Sequence, residues 1–241
     1  MFGTNPTEKF LREHDGKMLD VQEVFPTLQG EGPFAGRPAT FIRLAGCHLK
    51  CWWCDTDFLS KRKQVPVHDL VTQAFILEHN LVVLTGGEPM RQNIVTLCEG
   101  LYVLGHHVQI ETAGSFWPTP GANAEMFERQ LANNAVSIVV SPKLASVHDK
   151  VAEHACAYKY IIGWDDELEP DGLPATSTQL AGERVVLARP PPGFPREKIY
   201  VQPRDSQNPE LNVGARKACV RLCLEHGYTL SLQQHKILEL P

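Results

Sequence analysis

A parallel α/β fold is the class this chain predicts, and three observations carry the prediction. Residues 81–84 form a short, wholly apolar run, the pattern of a parallel strand covered on both faces by helices. Runs of strand type alternate with stretches whose apolar residues recur at helical spacing. Polar loops bearing glycine or proline leave the C-terminal ends of several of these strands, where parallel α/β folds gather their chemistry.

Taken in order, 19–25 alternates apolar and polar side chains, the period of a half-buried strand. Residues 27–33 hold two glycines and a proline and read as a tight loop. The apolar run 39–44 is a strand that delivers the chain to a cysteine-rich loop. A basic link follows, in which Lys61, Arg62 and Lys63 read as a solvated loop. The spacing of Leu70, Val71, Ala74, Phe75 and Leu77 predicts a helix over 68–79, with Asp69 suited to the dipole of its first turn. Strand 81–84 then runs into Thr85, Gly86, Gly87, Glu88 and Pro89. The alternation repeats as helix 94–104, strand 108–110, helix 122–133, strand 136–140, helix 151–156 and strand 158–162. After residues 163–197 come strand 198–201, helix 210–226 and strand 228–232.

Such connections make right-handed crossovers and a parallel sheet, open or curled into a barrel. The strands that can be placed number about six or seven against the eight of a complete barrel, so the expectation is a partial, TIM-like βα barrel. Residues 163–197, rich in proline, glycine and acids, have strand-like material only at 183–187. They read as an insertion or long loop within a single domain spanning 1–241. No internal repeat is visible.

The 241 residues suffice for one sizeable core, and 43% apolar with 21% charged residues is ordinary for a globular protein. No run is long enough to span a membrane, and residues 1–17 are polar without the apolar core of a signal peptide. The expected compartment is the cytoplasm, with no membrane partner. A net charge of −5 and the lack of long basic runs argue against nucleic acid as a partner. Seven cysteines, three of them crowded together, predict reduced thiols in place of a disulfide framework.

The crowded three are Cys47, Cys51 and Cys54, in a loop leaving a strand. Three thiolates can hold three irons of a cubic cluster and leave the fourth open to a small molecule. Zinc completed by His48 or a distant cysteine is the alternative, although no second Cys-x-x-Cys pair exists. Beyond them, Asp55 and Thr56 set a hydroxyl beside a carboxylate, a pairing suited to a hard cation such as magnesium. Cys98, Cys156, Cys219 and Cys223 read as small buried hydrophobes.

The pattern Cys-x-x-x-Cys-x-aromatic-Cys after a strand, with Trp53 as the aromatic, resembles the signature of the radical S-adenosylmethionine superfamily. The resemblance implies a radical SAM core with a [4Fe-4S] cluster on Cys47, Cys51 and Cys54. Its open iron would chelate the amino and carboxylate groups of S-adenosylmethionine, and an electron from the cluster would release a 5′-deoxyadenosyl radical. It also implies that Gly87 and Glu88, in a Gly-Gly-Glu element, receive the cofactor. Trp53, Asp55, Ser141, Pro142, Lys143, Gln202, Pro203, Arg204 and Asp205 would complete the cofactor pocket, and a donor such as flavodoxin or ferredoxin would supply the electron.

Within that superfamily, residues 27–33, 41–47 and 54–56 resemble the 7-carboxy-7-deazaguanine synthases, and the likeness extends over 21–241. It implies a carbon-nitrogen lyase that converts 6-carboxy-5,6,7,8-tetrahydropterin to 7-carboxy-7-deazaguanine with loss of ammonia, on the route to 7-deazapurines such as queuosine. Hydrogen would leave C6, the ring would contract, and hydrogen would return to the cofactor, so that S-adenosylmethionine acts catalytically. Leu28, Gln29, Gly30, Glu31, Arg43, Thr85, His235 and the carboxylate of Pro241 would contact substrate, Thr56 would ligate magnesium, and the enzyme would be a homodimer. Paired hydrogen bonds suit a pterin's amide and amino edge, and a guanidinium fork suits a carboxylate. Two other classes share parts of this pattern: a radical activase that forms a glycyl radical on another protein, and a zinc-stabilised binding module without catalysis.

Overall fold

The structure, a computed structural model, describes residues 6–11, 15–118 and 124–241. Its elements are β1 (Met18–Leu28), β2 (Pro38–Leu44), β3 (Lys63–Pro66), α1 (Val67–Ile76), β4 (Leu81–Gly86), α2 (Val95–Val103), β5 (His107–Thr112) and α3 (Ala124–Ala132). These are followed by β6 (Val136–Val140), α4 (Asp149–His154), β7 (Ala155–Ile162), β8 (Ile199–Pro203), α5 (Pro209–His226), β9 (Thr229–Leu230) and α6 (Gln234–Ile237). The start of the predicted helix 122–133 lies outside the described residues.

Among the described residues one nine-stranded sheet runs β3-β1-β2-β4-β5-β6-β7-β8-β9. From β2 onward every neighbouring pair is parallel, and a helix crosses over at each step except β7 to β8, which residues 163–198 connect without an α-helix. The order has two ends, β3 and β9, as a partial barrel requires. The expected parallel sheet is extended at one side, because β1 pairs antiparallel with both β2 and β3. Only a short loop joins β1 to β2, and a parallel pair would need a crossover of a dozen or more residues. β3 escaped sequence reading because its four residues, Lys-Gln-Val-Pro, bury only Val65 and resemble a polar link. At 183–187 the predicted strand reduces to a single bridge between Thr176 and Arg184.

The strands follow their side chains. All five residues of β6 are buried, and Leu81, Val82, Val83 and Leu84 of β4 are fully so. One core packs Ile42, Leu84, Ile110 and Ile138 of neighbouring strands against Leu70, Leu97 and Leu222 of the helices. Truncating one such leucine to alanine costs about 2–5 kcal/mol. α5 is bounded as its sequence directs: Asn208 Oδ1 accepts from the amides of Glu210 and Leu211 (3.0 and 3.2 Å), and Gly227 ends it in a left-handed conformation with φ 74°. Cys98 and Cys219 are buried in the core, while Cys156 and Cys223 are partly exposed, and no disulfide links any of the seven cysteines. Among the described residues no helix is long and apolar enough to cross a membrane.

Residues 163–197 lie over the end of the sheet. Arg204 at the end of β8 pairs with Asp165 and Asp166 (2.8 Å each), and Tyr160 of β7 donates to the carbonyl of Ala188 (2.6 Å). These bonds turn a composition typical of a loose loop into a fixed cover.

Candidate active site

The strand ends and the β1–β2 loop enclose a cavity of about 380 Å³. Nearly every residue singled out from the sequence lines it: Leu28 from the end of β1, Gln29 and Glu31 from the β1–β2 loop, Arg43 from β2, and Cys47, Cys51, Trp53, Cys54, Asp55 and Thr56 from the cysteine loop. Thr85 comes from the end of β4 and Gly87 and Glu88 from just after it, Ser141 and Lys143 from after β6, Gln202 and Pro203 from β8 with Arg204 and Asp205 just beyond it, and His235 and Pro241 from the last segment. Gly30 and Pro142 do not line it. Gly30 serves packing, since a Cβ there would collide with His235, and its carbonyl accepts from the amide of Gln234 at 3.1 Å.

The cysteine loop sits close to the β4 turn because glycine allows it. Gly46 has φ 84° and stands where any side chain would strike the buried guanidinium of Arg91. Cβ atoms on Gly86 and Gly87 would collide with the backbone of Leu44 and Gly46. These two glycines thus bring the β2 and β4 loops together. Two thiols receive N–H···S bonds, Cys47 from the amide of Leu49 and Cys51 from Nε2 of Gln179, each at 3.4 Å. Burial pushes the Cys47 thiol up to about 12 and raises that of Cys54, so their thiolates need compensating charge. Three thiols on one cavity wall with amide donors to sulfur are a donor set that fits an iron–sulfur cluster. His48, the fourth ligand of the zinc alternative, does not line the cavity and packs on Phe116 (4.4 Å), where burial lowers its pKa to about 4.

Behind the loop the cavity floor is a connected polar strip. Gln29 Nε2 donates to Gln109 Oε1 (2.9 Å) and Glu111 Oε1 (3.0 Å), Gln109 Nε2 also reaches Glu111 (3.1 Å), and Thr85 Oγ1 donates to Glu111 Oε2 (3.3 Å). Glu31 forms a buried ion pair with Lys159 and accepts from Gln233 Nε2 at 3.0 Å. Burial alone would raise the Glu31 pKa, but Lys159 outweighs it and holds the carboxyl at about 2. The same pairing, against burial, raises the pKa of Lys159.

The rim is equally tied. Glu88, almost fully buried, accepts from Thr112 Oγ1 (2.6 Å) and the amides of Ala113 (2.8 Å) and Met90 (3.1 Å), while burial lifts its pKa above the usual carboxylate range. Lys143 lies over the Trp53 ring (5.4 Å), and burial lowers its pKa. Lys236 bridges Asp55 (2.6 Å) and Asp205 (2.9 Å), and these bonds help hold Asp205 at about 2 against burial. Arg204, proposed as a cofactor contact, is engaged by Asp165, Asp166 and the Trp52 ring (4.7 Å). Arg43 Nε lies 3.0 Å from Glu23, and its guanidinium stacks over Phe25 (5.5 Å). Burial lowers the pKa of His235.

Sequence reading missed Gln109, Glu111, Lys159, Gln233 and Lys236. A signal existed for three of them. Gln109 and Glu111 stand two apart on one face of β5, and Lys159 interrupts apolar β7, so each is a polar side chain inside a buried parallel strand.

β2 and β4 are neighbours in register, and each hands its loop, one with three cysteines and one with Gly-Gly-Glu, to the same cavity. That juxtaposition on a partial βα barrel defines the class: the chain is a radical S-adenosylmethionine enzyme, with S-adenosylmethionine and a [4Fe-4S] cluster as its cofactors. No protein-family model matches the sequence. It is 40% identical to the 7-carboxy-7-deazaguanine synthase of Rhodospirillum rubrum over all of both chains, and 37% identical to that of Rickettsia prowazekii over 99% of this chain and 95% of the relative. The Escherichia coli enzyme of the same name is 30% identical over 91% of this chain and 98% of its own. The crystal structure of QueE from Escherichia coli shares the fold, with a TM-score of 0.60 and 24% identity over 89% of this chain and 93% of that one. The chain belongs to the 7-carboxy-7-deazaguanine synthase family. Membership supersedes the activase and zinc-module readings.

Proposed function

We propose that this chain converts 6-carboxy-5,6,7,8-tetrahydropterin to 7-carboxy-7-deazaguanine with release of ammonia, a step toward 7-deazapurines such as queuosine. The observation that carries the reading is the polar strip of Gln29, Glu31, Thr85 and Glu111, set in the same cavity as the three cysteines. Cys47, Cys51 and Cys54 would hold the cluster, which with bound S-adenosylmethionine would supply the radical chemistry for hydrogen abstraction. Glu88, Ser141, Lys143 and Gln202 line the cofactor's side of the cavity, beside Trp53.

Gln29, Glu31 and Glu111 accept from the amide and amino edge of the pterin, and leaving such an edge unpaired would cost about 1–3 kcal/mol per group. Lys159 keeps Glu31 ionised and therefore an acceptor at neutral pH. Arg43, Thr85 and His235 orient the remainder of the substrate. Asp55 and Thr56, whose Oδ1 and Oγ1 are 3.5 Å apart, offer the oxygen donors that a magnesium ion beside the substrate carboxylate would use. The chain acts as one domain in the cytoplasm, as a homodimer served by a flavodoxin or ferredoxin. Anaerobic incubation of the cluster-loaded enzyme with the pterin, S-adenosylmethionine, magnesium and a reductant tests the proposal. The expected result is ammonia and 7-carboxy-7-deazaguanine by mass spectrometry. Cleavage of the cofactor without loss of the pterin would refute it.

A further inference from the structure

The cover formed by residues 163–197 grips the cysteine loop at one point. Around Cys51, the amide of Lys50 donates to Gln179 Oε1 (2.9 Å), the amide of Trp52 to the carbonyl of Thr178 (3.0 Å), and Trp52 Nε1 to the carbonyl of Ser177 (3.2 Å). Thr178 Oγ1 in turn donates to the carbonyl of Lys143 (2.9 Å), which ties the same turn to the β6 loop. Both residues flanking Cys51 are therefore fixed from outside the loop. The orientation of the Gln179 amide is fixed as well. A backbone N–H can only donate, so the Lys50 amide claims the side-chain oxygen and leaves Nε2 facing Cys51 Sγ at 3.4 Å. Nothing in the sequence marks this residue, which lies in a segment of loop composition far from the cysteines.

We propose that Gln179 is a positioning residue for the cluster, donating a hydrogen bond to the Cys51 thiolate and setting the cluster's reduction potential. The inference rests on the functional reading above, in which Cys51 is an iron ligand. A donor to a ligating sulfur withdraws electron density and favours the reduced, more negative cluster, so its presence raises the potential. The bond also holds the sulfur in place before iron arrives.

The test uses full-length protein reconstituted anaerobically with iron and sulfide. Iron per chain is measured, and the midpoint potential is followed by electron paramagnetic resonance during redox titration. Gln179→Leu and Gln179→Met both remove the donor, and methionine preserves length and flexibility should leucine compromise folding. The expected result is a midpoint potential shifted to more negative values in each folded variant. A variant that keeps wild-type circular dichroism but loses iron supports the positioning role in the same way. Wild-type iron content together with a wild-type midpoint potential in either folded variant would overturn the inference. Wild-type protein that takes up no cluster would overturn the functional reading itself, and that result is seen before any variant is compared.

Discussion

Replacing Lys159 with methionine would leave Glu31 buried without its cation. In the native protein the Glu31 carboxyl is held at about 2 against an ordinary value of 4.5. At about 1.4 kcal/mol per unit this difference corresponds to roughly 3 kcal/mol. Because the folded value lies below the unfolded one, the contribution is complete above about pH 4.5 and is lost as pH falls toward about 2. Removing one partner of a buried pair typically costs about 3–5 kcal/mol, so the two routes agree. For a chain of this size, 3 kcal/mol lowers Tm by roughly 6–12 °C. Lys159→Met also reverses the pH dependence. Burial then raises the Glu31 pKa, so this group adds stability as the pH is lowered from about 7 to 5, a range over which the wild-type pair contributes no change. Adding Glu31→Gln should recover most of the loss, since the double variant buries no lone charge. Thermal and urea unfolding of cluster-free protein, followed by circular dichroism at both pH values, measures these quantities. A Lys159→Met protein within about 1 kcal/mol of wild type at pH 7, with an unchanged pH profile, would refute the reasoning.

Three further outcomes are expected. Glu88→Gln should destabilise the unloaded protein by about 1–3 kcal/mol, because an amide can replace only one acceptor oxygen and leaves a buried donor unpaired, as chemical denaturation would show. Gly46→Ala should be poorly folded, since it combines a strained positive φ with a collision against the Arg91 guanidinium, and a drop in Tm above about 6 °C is the expected reading. Thr56→Val should weaken the dependence of turnover on added magnesium while leaving iron content unchanged, measured by a magnesium titration of initial rates.

Much of the fold was legible because its strands advertise themselves. β4 and β6 are apolar and buried, and α1 and α3 keep a clear periodicity. β3 was not, because an edge strand with one buried residue carries no pattern. The cysteine loop, the Gly-Gly-Glu turn and the β1–β2 loop were legible as local motifs. Glu111 and Lys159 were obscured by the opposite condition: each is a single charged residue in a strand otherwise read as core, and its partner comes from a distant strand or loop. Arg204 shows a third limit, for its position was legible while its engagement with Asp165 and Asp166 depends on how the intervening segment folds back.

Cys51 and Gln179 are 128 residues apart in sequence. A chain emerging from the ribosome therefore exposes its three thiols long before the segment that fixes them exists, and closing so large a loop is among the slow events of folding. The bonds that fix both neighbours of Cys51 therefore form only once residues 177–179 have been made and have docked on the cysteine loop.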